Sequence, residues 1–150
     1  MDSYKILGQV APKNVSSFVV LYSVPKTEAS SVTKGTSVTT NPEVAAIVTQ
    51  TVVSSIVVTN MNLATQIYSV CLFDNSTTST PEVAGGGTNG GKNHLVYLRA
   101  IAAWDVHTLD LGLVLPPDAT IRCNSNFVAV EGTPSGLNFT AMGIETRLVY

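Results

Sequence analysis

The chain is a succession of short apolar runs separated by Pro, Gly, Asn and Ser/Thr clusters, and no segment carries the 3.6-residue period of an amphipathic helix. "YKILGQVAP", Tyr4 to Pro12, and "SSFVVLYSVP", Ser16 to Pro25, read as strands that each stop at a proline, which has no N–H to continue a ladder. "TVVSSIVVTN", Thr51 to Asn60, is nearly continuous in β-branched residues and reads as a buried central strand, ending in a turn at Asn60, Met61 and Asn62. "TQIYSVCLFD", Thr65 to Asp74, is expected to fold back on it as an antiparallel hairpin. Further on, Leu95, Tyr97 and Arg99 alternate with Val96, Leu98 and Ala100. His107, Leu109, Leu111 and Leu113 lie opposite Thr108, Asp110 and Gly112. Pro116, Pro117 and Asp118 mark a turn; the last run puts Leu137, Phe139 and Ala141 on one face, with Gly143 as a bulge, and ends in apolar Leu148, Val149 and Tyr150.

Two passages break this pattern. Lys26 to Gln50 is Ser/Thr-rich with Gly35 and Pro42, and reads as a long loop or a protruding hairpin; Asn75 to Asn93 is rich in glycine and has almost nothing to fill a core, so it reads as a long loop at a hairpin end. The expectation is a single domain over residues 1–150, all-β, an antiparallel β-sandwich or jelly roll of about eight strands with long loops at about 26–50 and 75–93.

Composition strengthens the β reading and narrows the partners. The chain holds 21 Val and 32 Ser plus Thr, a mixture suited to pleated, half-buried surfaces. Charged residues make up 12%, about half the usual share of roughly 25%, so the surface is unusually uncharged and suits being covered by other protein. Lys and Arg are dispersed singly and the net charge is −2, which argues against nucleic acid as a partner. The start has no cationic leader before an apolar stretch and no run is long enough to span a bilayer, so neither secretion by a cleaved signal nor a membrane partner is expected. The sequons at Asn14, Asn75 and Asn138 accordingly read as chance in a Ser/Thr-rich chain.

The sharpest candidate chemistry is Gly86 to Lys92, GGTNGGK, which approaches a phosphate-cradling loop. Such a loop needs a strand leading in, a helix leading out and a Mg²⁺-binding Ser or Thr after the lysine. Here the preceding strand ends near Phe73, the residues from His94 alternate as a strand does, and Asn93 follows Lys92, so nucleotide binding is not expected. His94 and His107 have no Cys/His cluster or HExxH spacing around them and read as a loop and a strand histidine. Asp105, Asp110 and Asp118 lack the rhythm of a calcium loop and read as turn and cap residues. Cys71 and Cys123 lie in strands and read as small buried hydrophobes ahead of a disulfide, and Trp104 reads as a core anchor ahead of an interface residue. No catalytic, cofactor-binding or metal-ligating residue is assigned, and no enzyme is expected.

Taken in order, "YKILGQVAP", "LYSVP", "VVSSIVVTN", "LDLGLVLPPDATIRC" and "LNFTAMGIE" resemble a family of small virion structural proteins of tailed bacteriophages, including many cyanophages. The likeness covers most of the chain and is carried by order and spacing. Lys26 to Gln50 and the Gly-rich passage look like insertions relative to compact members, which run from "LYSVP" straight into "VVSSI". The resemblance implies a β-sandwich assembled as a homotrimer on the outside of the particle, with the major capsid protein or other virion proteins as partners and the virion as location. Members include capsid decoration, tail and fibre components. A capsid decoration, or cement, protein is the favoured expectation; a tail, neck or fibre component that binds a glycan or receptor is the alternative, weakened by the lack of aromatic residues in both long loops.

Overall fold

The computed structural model of the protein describes residues 3–12, 18–33, 44–73, 94–125 and 136–149. Nine strands are formed among them: β1 (Tyr4–Val10), β2 (Val19–Ser23), β3 (Glu28–Thr33), β4 (Val44–Asn60), β5 (Gln66–Phe73), β6 (His94–Ile101), β7 (Val106–Leu115), β8 (Thr120–Ser125) and β9 (Leu137–Val149). They make two antiparallel sheets. The first runs β1-β9-β4, with β3 and β7 both on the far side of β4; the second runs β2-β8-β5-β6. β4 can hold two partners on one side because it has 17 residues: β3 pairs with its start, at Glu28↔Ile47, and β7 with the rest, from Thr51↔Leu115 to Thr59↔Val106. With β3 set aside as one arm of a hairpin, the order β1-β9-β4-β7 over β2-β8-β5-β6 is the double Greek key of a jelly roll.

Part of the passage from 26 to 50 is therefore strand, not loop: β3 and the start of β4 pair antiparallel, and residues 34–43 between them lie outside the described residues. The Gly-rich passage lies outside the described residues, but the strands around it are set, since β5 ends at Phe73 and β6 opens at His94. The element after Lys92 is a strand and supplies no helix N-terminus.

The expected hairpin between Thr51–Asn60 and Thr65–Asp74 does not form. β4 and β5 lie in opposite sheets, and residues 61–65 carry the chain across the end of the sandwich. Both strands are apolar because both face the same core, one from each side: Val53, Ile56 and Val58 from β4, Tyr68 and Val70 from β5. The crossing is held by Asn60, whose side chain is buried. Its Nδ2 donates to the carbonyls of Ala64 (2.9 Å), Ile101 (3.2 Å) and Ala102 (2.9 Å), and its Oδ1 accepts from the Asn62 N–H at 2.9 Å. The backbone N–H groups of Asn60 and Met61 go to Asp105 O and Gly136 O, leaving none to close a hairpin.

The core joins Ile56, Val58, Leu109, Leu115, Leu137 and Phe139 of the first sheet to Leu21, Tyr68, Val70, Ile101, Ile121 and Cys123 of the second. Each fully buried side chain of this kind contributes roughly 1.5–3 kcal/mol. Leu137, Phe139 and Ala141 share the inner face as the alternation requires, and Phe139 meets Tyr68 edge to face at 5.8 Å.

At Gly143 the ladder is irregular, but the extra residues, Leu7 and Ser54, belong to the flanking strands and not to β9. A Cβ on Gly143 would fall on the Val52 carbonyl oxygen, so the close approach of β4 requires glycine. Gly8 plays the same part between sheets, where a Cβ would meet the Leu21 carbonyl of β2.

Candidate interaction surfaces

The histidines and acids singled out in the sequence are placed apart. His94 opens β6 and is therefore a strand residue; its ring meets Tyr97 at 4.8 Å and Phe18 at 6.0 Å. Its lateral neighbour on the outward side of the second sheet is Cys71, which in turn pairs with Arg122. The Arg122 guanidinium lies 4.5 Å from the Phe73 ring centre. Cys71 and Cys123 are buried and not joined by a disulfide; burial, with the Cys71 thiol adding to it, pushes the Cys123 thiol far up and keeps it protonated and inert. Asp118 is the third residue of the Pro116–Ala119 turn at φ +68°, closed by Ala119 N–H to Pro116 O at 3.3 Å, and its carboxylate lies 3.7 Å from Lys26 Nζ. Asp110 projects from the outside of β7. Among the described residues, no group of three or more His, Cys, Asp or Glu gathers to hold a metal.

His107 and Asp105 do come together, at the edge where β6 and β7 close the sandwich. His107 Nδ1 is 3.0 Å from the buried Tyr68 hydroxyl, and Nε2 is 3.7 Å from Asp105 Oδ2, too long for a hydrogen bond but close enough to attract a protonated ring. Asp105 Oδ1 also accepts from the Val106 N–H at 2.8 Å. Burial raises the Tyr68 hydroxyl above its usual range while Arg99 beside it pulls the other way. Tyr68 belongs to the second sheet and His107 to the first, so the chain of contacts ties one to the other.

Beside this clamp the structure departs from the sequence reading. Trp104 is not in the core: it is 65% exposed, at the third position of the turn closed by Asp105 N–H to Ala102 O, with φ +58°. That position favours glycine, and a left-handed backbone costs a side-chain-bearing residue roughly 1–2 kcal/mol. Met61 and Leu63 (86% exposed) are also exposed on the turns that Asn60 stitches together, so one end of the sandwich carries an apolar tip. Its local signal was Trp104 next to Asp105 after two alanines; that the indole faces solvent depends on the turn, which no periodicity reveals.

A second apolar surface covers the outside of the first sheet. Directly paired residues share a side of a sheet, and the ladder runs Tyr4↔Ile144, Ile144↔Val52, Val52↔Val114, a row across four strands. Tyr4 and Val114 are 58% and 62% exposed, Val52 lies at the edge of exposure and Ile144 is half-buried. Ile6 and Met142 pair beside this row, and Val48 with Leu148 beyond it. The charged residues Lys5, Glu145 and Arg147 alternate to the other side, and among the described residues Asp110 is the one charge on this face.

Fold and surfaces together define a charge-poor jelly roll whose exposed apolar regions include a flat face and a tip. No protein-family profile, curated protein or solved structure matches the chain.

Proposed function

We propose that this chain is a non-enzymatic structural protein of a tailed-phage virion, a decoration or cement protein that binds across subunit junctions of the shell through the tip carrying Trp104. The observation that carries this reading is the exposed indole in a backbone conformation that favours glycine. A strained, exposed aromatic is costly where it does nothing, and Trp is the residue most enriched among the anchors of protein interfaces. Met61 and Leu63, exposed on the turn that Asn60 ties to the Trp104 turn, add apolar surface that a partner would cover. The low charge, and the ordered series of motifs that resembles small virion proteins, support the same reading.

The test is to add the protein to purified shells of its own phage that lack it. Wild-type protein is expected to co-sediment with the shells and raise their thermal disruption temperature, and Trp104→Gly to do neither. If the wild-type protein leaves shells unbound and unchanged, the reading fails. The exposed Trp104, with Asp105 beside it, also suits stacking on a sugar ring, the tail or fibre alternative; specific binding on a glycan array, lost in Trp104→Gly, would select that role.

A further inference from the structure

The outer face of the first sheet is a separate surface, and the geometry points to a second copy of this chain as what covers it. The face spans β1, β9, β4 and β7. At about 4.8 Å per strand and about 3.4 Å per residue, four strands over some ten residues present on the order of 650 Å². That approaches the roughly 800 Å² each partner contributes to a standard stable interface. The row Tyr4, Ile144, Val52 and Val114 runs along the middle of this area, flanked by Ile6 and Met142, with Gln9, Gln50, Thr140 and Thr146 as uncharged polar surroundings.

A partner of opposite charge would need charges here to recognise, and among the described residues the face offers only Asp110, near its β7 edge. A partner with the same uncharged Val/Ile/Thr surface needs none. Two such sheets can pack face to face at about 10 Å, as the two sheets within the sandwich do, with Asp110 left at the rim in water. Contact of a patch with itself is the closed, two-fold arrangement commonest among oligomers. Face-on packing covers this apolar row without using Trp104, Met61 or Leu63, so self-association and shell binding do not compete.

The experiment is sedimentation velocity on the full chain from low micromolar to about 100 µM, a range that detects micromolar association. Wild-type protein is expected to form a discrete dimer, the closed product of a two-fold contact, and not the trimer that the resemblance implies. Val52→Lys and Ile144→Lys place a cation in the middle of the face and are expected to weaken association at least about 100-fold, as a buried unpaired charge at an interface does. Val114→Lys sits at an exposed position and serves if the others fail to fold; thermal unfolding monitors the fold in each case. Trp104→Gly is expected to leave the oligomer intact. A wild-type chain that stays monomeric over this range overturns the proposal, as do well-folded Lys variants that associate like wild type. Because the readout is the isolated protein in solution, these outcomes are independent of whether shells are bound.

Discussion

The Tyr22 hydroxyl, on the edge strand of the second sheet, donates a hydrogen bond to Glu145 Oε2 of the first sheet at 2.8 Å and lies 2.9 Å from Thr51 Oγ1. Lys5 Nζ stands 3.4 Å from the other Glu145 oxygen. A polar bridge thus closes one side of the sandwich as the Tyr68–His107 contact closes the other.

Tyr22→Phe keeps the ring in the core and leaves Glu145 and Thr51 without their shared partner. It is expected to cost about 1–3 kcal/mol in chemical denaturation, the range for a buried charge-assisted hydrogen bond. Tyr22→Phe unfolding at the wild-type denaturant midpoint would show that the bridge contributes nothing.

Alkaline pH acts on the same bridge. Burial, and then the Glu145 carboxylate, push the Tyr22 hydroxyl up to about 12 against a partial lowering by Thr51, whereas the unfolded phenol titrates near 10. Between these values the unfolded chain has lost a proton that the folded chain keeps, so stability falls as pH rises. The contribution is therefore present in full below about pH 10 and lost by about pH 12. Denaturation midpoints measured across that window are expected to drop less steeply in Tyr22→Phe than in wild type.

Asn60→Ala removes the amide that serves the Ala64, Ile101 and Ala102 carbonyls and the Asn62 N–H. A loss of about 2–4 kcal/mol is expected, since several buried partners are orphaned at once. Amide exchange at Asn62 and in the 102–105 turn should rise before exchange in β9; uniform acceleration across the molecule would mean that Asn60 does not act locally.

Gly143→Ala forces β4 and β9 apart at Val52 and is expected to cost about 2 kcal/mol or more, by overpacking. A thermal midpoint equal to wild type would show that the strands can shift to admit the methyl group.

Trp104→Gly separates function from stability. Relief of the left-handed backbone is expected to offset the loss of an exposed ring, leaving unfolding free energy within about 1 kcal/mol of wild type. A large destabilisation in thermal melts would assign the indole a structural role in place of a binding one.

What the order of residues determines by itself is local. Alternation and β-branched content specify strands at Tyr4, Val19, Gln66, His94, Val106 and Leu137, the inward set Leu137, Phe139 and Ala141, and the turn at Pro116 to Asp118, because each follows from the two-residue period or from a single residue's dihedral preference. What only the tertiary structure decides is which strand lies beside which. A short turn after Asn60 suits a hairpin and a crossing alike, and the choice falls to the distant carbonyls of Ile101 and Ala102 and the N–H acceptors Asp105 and Gly136. The same holds for the surfaces. Tyr4, Val52, Val114 and Ile144 are far apart in the chain and become one apolar row through register across four strands, and Trp104 reaches solvent because a turn needed a left-handed residue where it stands.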